Sequence, residues 1–296
     1  MPISVAECYI YPLKSAKAIK VDELSISKKG PIGDRFWMLV KKNGDGIYKF
    51  ISQRDSGCEK LSQIEATIEN SNKFIFKAPN MNDYDLSLDA VKFTPVKVSI
   101  WGDDCNAMDA GDSLAKWFSN YLGIPCRLVK MNDEHIRNTS SKYSKKDDQV
   151  GFADSFPLLI TSHESLDKLN EYIPTDDNIG MERFRPNIVL KGIEAFEEDV
   201  IHEIRIGEVI LHFVKPCTRC KITTIDQDKG IIKSPEPLKT LSKLRRGRSD
   251  ELTGVFFGQN AIPQNFGIIK TNDIVEIISK RPLHPALENS TLKYKS

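Results

Sequence analysis

The chain has 296 residues, of which 40% are hydrophobic and 28% are charged, and its formal net charge is +1 at pH 7. This composition is typical of a soluble globular protein and excludes a largely disordered chain. The length fits one large domain or two ordinary ones. The near-neutral charge predicts no nucleic-acid partner, and the lack of an apolar run of about 18 residues predicts no membrane span.

The six cysteines are too sparse for a disulfide scaffold in a chain of this length. They indicate reduced thiols in a reducing compartment. The first residues carry neither the charged region nor the apolar region of a secretory signal peptide. We therefore expect a cytoplasmic protein, unless an N-terminal anchor has been trimmed from the sequence.

The first part of the chain predicts short strands. Residues 5–11 form one strand-like run, and residues 36–40 form another after a turn-rich stretch. Between residues 61 and 101 several short apolar segments are separated by turn residues, which is typical of a small barrel. A helix is predicted between Asp112 and Gly123. Aspartate is a favourable N-cap residue, and glycine is favourable directly after the last helical turn.

The middle of the chain begins with a polar, charged stretch at residues 132–149. It predicts a surface loop, with a lid over a neighbouring site as the alternative. A buried strand is predicted over residues 158–160, followed by a helix that reaches Tyr172.

Two arginines precede the next predicted strand. Arg185 comes directly before a proline and should be extended, and a spacing of two residues puts Arg183 and Arg185 on the same side of the chain. Two guanidinium groups on one side could grip a phosphate or the edge of a pterin, because each planar fork donates hydrogen bonds in pairs. A solvent-exposed pair is the alternative.

The most informative stretch is Cys217-Thr218-Arg219-Cys220. Residues 209–214 alternate like a strand, which Pro216 is expected to end because proline cannot donate to a sheet ladder. The β-branched residues that follow the second cysteine predict another strand over residues 222–225. The two cysteines are therefore expected in the bend between two strands.

Four interpretations of this pair stay open on the residues alone. A thioredoxin-like redox pair needs a helix after the first cysteine, where a strand is predicted. A structural zinc site needs four ligands, and the other cysteines are scattered. Two buried, inert cysteines are a common arrangement. Finally, one thiolate could ligate a metal that brings its other ligands on a cofactor, with Arg219 helping to keep the sulfur ionised.

Several motifs in one order resemble the MOSC-domain family. They are YPLKS, GDRFW, RFRPN, KPCTRCKITTIDQDKG and FGQN. The likeness is greatest to the amidoxime-reducing component branch, in which a β-barrel domain precedes the catalytic domain. It implies a mostly-β fold with helices (α+β), made of a β-barrel-like domain over residues 1–128, a MOSC β-barrel domain over residues 129–282 and a tail over residues 283–296.

The resemblance also implies a molybdenum cofactor, Mo-molybdopterin, with the thiolate of Cys220 as the protein ligand to molybdenum and with Cys220 and Asp154 as catalytic residues. The residues implied to contact the cofactor are Lys14, Ser15, Arg35, Asp154, Ser155, Arg185, Asn187, Thr218, Arg219 and Asn260. Arg54 is a weaker match, with a place at the domain interface as its alternative. The role of Cys217 stays open.

The implied reaction is the two-electron reduction of the N–O bond in amidoximes, N-hydroxyguanidines and similar N-hydroxylated compounds. No further cysteine cluster follows, so electrons are expected from an external donor such as a cytochrome b5-type protein or a flavin reductase. The alternatives are a cofactor carrier or sulfur-transfer module without reductase activity, a zinc or disulfide-switch protein, and a cofactor-free interaction domain.

Basic residues are concentrated in residues 238–248, among them Arg245, Arg246 and Arg248. Such a run is usually a solvated face. The alternative hypothesis is that it docks an acidic electron donor, because complementary charge speeds encounter.

Overall fold

The computed structural model describes residues 2–44, 46–174 and 179–294, so the last two residues of the predicted tail lie outside it. In chain order the strands are β1 (Ser4–Ile10), β2 (Ile19–Val21), β3 (Glu23–Ser27), β4 (Gly30–Pro31), β5 (Trp37–Lys42), β6 (Tyr48–Phe50), β7 (Glu65–Asn70), β8 (Lys73–Lys77), β9 (Tyr84–Ser87), β10 (Thr94–Ile100), β11 (Asp103–Asp109), β12 (Arg127–Met131), β13 (Leu158–Ser162), β14 (Ile188–Lys191), β15 (Ile201–Ile206), β16 (Val209–Thr218), β17 (Ile225–Asp226), β18 (Ile231–Ile232), β19 (Arg246–Arg248), β20 (Thr253–Pro263), β21 (Gly267–Lys270) and β22 (Val275–Lys280). The α-helices are α1 (Asp112–Leu122), α2 (His163–Asn170) and α3 (Leu238–Leu244). The short 3-10 helices are Glu59–Gln63, Leu88–Ala90, Met181–Arg183, Glu197–Asp199, Lys221–Thr224 and Pro285–Leu287.

The N-terminal half contains a closed barrel in the strand order β10-β11-β12-β5-β6. Aromatic and aliphatic side chains fill the space between it, α1 and the separate three-stranded sheet β7-β8-β9, with Trp37, Phe76 and Phe118 fully buried. The prediction of a barrel is confirmed. Its strands differ from the expected ones, because β7–β9 pair among themselves.

The other large element is a nine-stranded sheet in the order β2-β1-β14-β13-β20-β16-β15-β22, with β19 attached to β20. The first strand of the chain thus pairs antiparallel with β14, far away in sequence. Sheet pairing therefore crosses the predicted boundary near residue 128, and the exact domain division stays a prediction. The mostly-β fold with helices is confirmed.

The last described segment, residues 283–294, packs against the body of the protein. Ala286 and Leu287 are buried against Phe256, and Leu292 joins the core around α3. In residues 2–44, 46–174 and 179–294, no helix combines the length and apolar character that crossing a membrane requires.

Helix α1 shows where the sequence signals succeed and where they slip by one residue. Gly123 adopts the left-handed conformation after the last turn, with a φ of 74°, as predicted. The N-cap is Gly111 rather than Asp112. Similarly, α2 ends at Asn170, before Tyr172, and its N-cap is Ser162, whose hydroxyl accepts from the Ser165 amide at 3.2 Å.

Glu198 is a fully buried carboxylic acid in the core between α2 and β20. One oxygen accepts from the Ser165 hydroxyl at 2.8 Å, and the other is without a hydrogen-bond partner among the described residues. Burial, together with the neighbouring Asp199 charge, raises the pKa of Glu198 above its ordinary value of 4.5. At pH values between the ordinary pKa and the raised one, Glu198 is therefore protonated in the folded state and ionised in the unfolded chain.

We expect Glu198→Gln to gain stability relative to the unsubstituted chain as pH rises. A raised folded-state pKa contributes stability that is present below about pH 4.5 and is lost as pH increases through the folded-state value. Glutamine does not ionise, so the variant should not lose this stability. Between pH 5 and pH 8 the free energy of unfolding of Glu198→Gln should therefore rise by about 1–3 kcal/mol relative to that of the unsubstituted chain. Urea denaturation at both pH values measures it. Glu194→Gln, at an exposed position, is the matched control, and equal pH slopes for the two variants would contradict the expectation.

Candidate functional site

A cleft that is open to solvent lies where the barrel half meets the large sheet. It brings together every residue that the resemblance implied to be catalytic or to contact a cofactor, although those residues are spread over the whole chain. The assigned residues lining it are Lys14, Ser15, Arg35, Asp154, Ser155, Arg185, Asn187, Thr218, Arg219, Cys220 and Asn260. Their convergence is a fact of the fold, whereas their individual roles stay predictions.

The two cysteines lie where the backbone leaves the sheet. Strand β16 runs through Pro216 to Thr218, so the predicted stop at the proline is wrong. The pairing of β15 with β16 ends at His212, so the missing N–H of Pro216 falls on a side without a paired strand. Cys220 follows in extended conformation with a φ of −136°.

A short 3-10 helix, Lys221–Thr224, replaces the strand predicted after Cys220. The Cys220 carbonyl accepts from the Thr223 amide at 3.1 Å and from its hydroxyl at 2.9 Å. Local bonds of threonine to the backbone compete with sheet pairing, and here they outweigh β-branched propensity. The tight turn leaves the Cys220 side chain partly exposed at the cleft.

Arg219 contacts the other cysteine. Its Nη1 donates to the Cys217 Sγ at 3.0 Å, and its Nη2 donates to the Phe184 carbonyl. Its Nε is buried without a partner among the described residues. The guanidinium thus bridges Cys217 and the Phe184 backbone, and its Nε–H is left for a bound group.

Lys14 and Asp154 form an ion pair at one wall of the cleft. The buried Lys14 Nζ donates to Asp154 Oδ1 at 2.5 Å and to the Phe152 carbonyl at 2.7 Å. Desolvation by itself would raise the pKa of Asp154, but the charge and hydrogen bond of Lys14, helped by Arg54, hold that pKa below its ordinary value. Asp154 is therefore a carboxylate at neutral pH, which suits it to hold Lys14 rather than to donate a proton.

Arg35 and Arg185 lie against the ring of Tyr11, with their Cζ atoms 4.1 Å and 4.3 Å from its centroid. Arg35 Nη1 donates to Asp34 Oδ2 at 2.6 Å, and Arg185 Nη1 donates to the Ala16 carbonyl at 2.6 Å. Burial lowers the pKa of Arg185 to about 10, so it keeps its charge at neutral pH. Its Nη2 has no partner in the described residues.

Three residues of the cleft have a strained backbone conformation. Ser15, Arg35 and Arg185 have positive φ values of 66°, 45° and 57°. Such conformations are uncommon for residues other than glycine, and they persist where surrounding contacts hold them. The expectation that Arg185 is extended is wrong, because contacts with Ala16 and Tyr11 hold its backbone at positive φ. The pairing of Arg183 with Arg185 is also wrong, because Arg183 ends a 3-10 helix and is not part of the lining.

The two site asparagines use their amides to join strands. Asn187 Oδ1 accepts from the Leu159 amide at 3.2 Å, and its Nδ2 donates to the Tyr9 carbonyl at 3.2 Å. Asn260 Nδ2 donates to the Lys215 carbonyl at 3.3 Å. Two residues before Asn260, Gly258 has a φ of 74°, and a Cβ there would lie 2.8 Å from the Ile160 carbonyl oxygen, so glycine lets β13 and β20 approach closely.

Sequence reasoning missed one residue that shapes the cleft from outside its lining. Arg137 is buried, and its guanidinium donates to the carbonyls of Gly151, Ala153 and Asp154 at 3.1, 2.7 and 2.9 Å. It also pairs with Asp103 at 2.9 Å. It comes from the predicted surface loop, where a charged residue in a polar stretch carries no signal of burial.

The lining as a whole fits an anionic group. Its charged side chains are five cations and one carboxylate, Asp154; the cations are Lys14, Arg35, Arg54, Arg185 and Arg219. Orphaned donors on Arg185 and Arg219 are available for such a group. Within the part of the chain that the structure describes, no cluster of three His, Cys, Asp or Glu side chains could hold a metal ion alone. A metal here would therefore need ligands from a cofactor besides a cysteine thiolate.

Comparison with known proteins agrees with this two-part architecture. Residues 3–125 match the MOSC N-terminal beta barrel domain, and residues 147–276 match the MOSC domain. Mitochondrial amidoxime reducing component 2 from Rattus norvegicus is 35% identical over 82% of this chain and 72% of its own length. Mitochondrial amidoxime-reducing component 1 from Mus musculus is 32% identical over 94% of this chain and 83% of its own length.

Among solved structures, the YUAD protein of Bacillus subtilis aligns over 93% of this chain and 94% of its own, with 9% identity and a TM-score of 0.41. That overlap is too loose to support an inference. The two domain matches and the sequence identity to the reducing components are sufficient to assign the family. The chain belongs to the family of proteins that combine a MOSC N-terminal barrel with a MOSC domain, and the amidoxime reducing components are its relatives.

Proposed function

We propose that this protein is a molybdenum-cofactor-dependent oxidoreductase that reduces N-hydroxylated compounds such as amidoximes and N-hydroxyguanidines. The observation that carries the proposal is the partly exposed thiol of Cys220 in a cleft lined by five cationic side chains. A soft thiolate suits molybdenum, and the cations suit the phosphate of a molybdopterin. Relatives named amidoxime reducing components support the substrate class.

In this proposal Cys220 is the protein ligand to molybdenum, and the cationic groups of Lys14, Arg35, Arg185 and Arg219 hold the anionic cofactor. The hydroxyls of Ser155 and Thr218 are exposed in the cleft and can donate to it. When bound, the cofactor supplies the two-electron chemistry that removes oxygen from nitrogen.

The protein's own contribution is positional and electrostatic. Asp154 keeps Lys14 charged and in place, since burial lowers the pKa of Lys14 and the adjacent carboxylate opposes that shift. Arg137 fixes three carbonyls of the Asp154 segment, so the side chains of that segment stay aimed at the cleft. Rigid placement of charged groups is what a reaction with developing charge requires.

Electrons come, in this proposal, from an external donor such as a cytochrome b5-type protein or a flavin reductase. A cytoplasmic location belongs to the same proposal, and the six free cysteines fit a reducing compartment. The relatives are named mitochondrial, so fractionation of the source cells is the direct check.

One observation favours the alternative of a cofactor carrier or sulfur-transfer module. Cys217 lies in the same cleft as Cys220, and Arg219 donates to its sulfur at 3.0 Å. A sulfur-transfer module needs an accessible cysteine to carry the sulfur, and this cleft offers two.

The experiment that separates the two functions uses protein made in a host that synthesises the molybdenum cofactor. We expect molybdenum near one atom per chain and reduction of benzamidoxime by the dithionite-reduced holoprotein. Zinc in place of molybdenum would contradict the cofactor assignment. Full molybdenum occupancy without turnover would instead favour the carrier.

A further inference from the structure

An exposed tryptophan at the edge of the cleft has an unusual backbone. Strands β10 and β11 are joined by the two residues Trp101 and Gly102, with φ values of 55° and 96°, between the paired residues Ile100 and Asp103. Positive φ at both positions is the type I′ hairpin turn, which strongly prefers Asn-Gly. A bulky aromatic residue at positive φ is strained, so contacts of its ring must compensate.

The ring of Trp101 supports Arg54. The Arg54 Cζ lies 4.2 Å from the ring centroid, and the Phe50 ring packs against Trp101 edge-on at 5.1 Å. Trp101 is nevertheless 54% exposed. Its indole also helps to lower the pKa of Asp154. The turn of the barrel therefore supports a guanidinium group that lines the cleft.

Arg54 is more loosely held than its neighbours in the cleft. Lys14 and Arg35 each make a hydrogen bond of 2.6 Å or less to a carboxylate. Among the described residues, Arg54 has only its Nε 3.5 Å from the Ser52 hydroxyl and its Nη2 3.7 Å from Asp154 Oδ2. Stacking thus orients the Arg54 guanidinium without using its donors.

We propose that Arg54, supported by Trp101, is a specificity-determining residue that selects substrates carrying an anionic group, such as an aryl carboxylate. A planar guanidinium with free donors binds a carboxylate in a charge-assisted pair, and the exposed indole beside it offers apolar surface to an aryl body. The inference rests on the proposed reduction of N-hydroxylated compounds. The cofactor's own phosphate carries the same chemistry, so the test distinguishes the two anions.

The kinetic test compares 4-carboxybenzamidoxime with benzamidoxime. We expect the holoprotein to favour the carboxylated substrate about tenfold in kcat/KM, and Arg54→Met to bring that ratio close to one. Lys49→Met is the matched control, because it removes an exposed cation of strand β6 outside the cleft lining and should keep the ratio.

A second variant removes the support and keeps the fold. Trp101→Asn installs the residue that the I′ turn prefers, so its melting temperature should equal or exceed that of the unsubstituted protein. The preference for the carboxylated substrate should still fall, because the guanidinium loses its stacking surface. If Trp101→Asn kept the full preference for the carboxylated substrate, the proposal that the Trp101 ring supports Arg54 would be overturned.

Two readouts other than turnover complete the test. The molybdenum content of Arg54→Met should equal that of the unsubstituted protein. A loss of molybdenum in the variant would mean that Arg54 binds the cofactor, and it would overturn the proposal. Benzoate should quench tryptophan fluorescence saturably in the holoprotein and not in Arg54→Met. Trp101 reports this binding, since Trp37 and Trp117 are only 0% and 9% exposed.

The outcomes also separate this inference from the proposed function. Saturable benzoate quenching without reduction of either amidoxime would support the anion site and contradict the reductase. Reduction of both amidoximes with equal kcat/KM would support the reductase and overturn the anion site.

Discussion

Cys220→Ser is expected to lower amidoxime reduction by more than about 100-fold, because loss of groups that merely orient metal ligands already costs 10–100-fold. The serine hydroxyl is a harder and much weaker ligand than a thiolate for the metal proposed here. X-ray absorption of the molybdenum-loaded Cys220→Ser variant should show one sulfur neighbour fewer around molybdenum than that of the unsubstituted holoprotein. The activity assay uses dithionite as reductant, so that donor binding does not enter the measurement.

Cys217→Ser is the matched control, since Cys217 lines the same cleft three residues before Cys220, whose carbonyl accepts the hydrogen bonds of the following turn. Its sulfur accepts from Arg219, which also holds the Phe184 carbonyl and therefore stays in place. We expect activity within about fivefold of the unsubstituted protein, because only one hydrogen bond of about 1 kcal/mol changes. Equal losses in both variants would contradict the assignment of Cys220 as the ligand and favour sulfur transfer through the pair.

Arg245→Met is expected to reduce the free energy of unfolding by about 3–5 kcal/mol. Arg245 is 0% exposed, and its guanidinium pairs with Asp199 through contacts of 2.7 and 3.1 Å. It also donates to the carbonyls of Leu292 and Phe256 at 2.8 and 3.2 Å. Methionine keeps much of the side-chain volume but leaves the Asp199 charge buried without its counter-ion, which is the costly event.

Urea denaturation measures this loss, with Arg246→Met as the control. Arg246 is exposed, so its removal should change stability by no more than about 0.5 kcal/mol. Adding Asp199→Asn to Arg245→Met should recover part of the stability, because the unpaired charge is then absent. A loss below about 1 kcal/mol in Arg245→Met would show that the pair is not needed for stability.

The burial of Arg245 also corrects an interpretation of the sequence. The basic run at residues 238–248 predicts a solvated face or a docking surface, and Arg246 and Arg248 are indeed exposed. Arg245 instead fixes the C-terminal segment to the core. Charge along a chain does not report burial, because a charge paired across 46 residues with Asp199 has no local signature.

By itself, the sequence determined the mostly-β fold class, the family and the set of residues that meet in the cleft. The fold class follows from alternating apolar residues, whereas the family and the residues of the cleft are what the resemblance of short motifs to a known family implies, and neither step needs knowledge of packing. Gly123, for example, ends α1 as its residue type predicts.

Only the tertiary structure decided what depends on partners distant in the chain. Strand β1 joins β14, Arg137 holds the Asp154 segment, and Pro216 sits within a strand because its neighbour ends early. Arg185 adopts a positive φ against its local preference, held by Ala16 and Tyr11. In each case long-range contacts outweigh propensities of about 1 kcal/mol, and a sequence pattern records the propensity but not the contact.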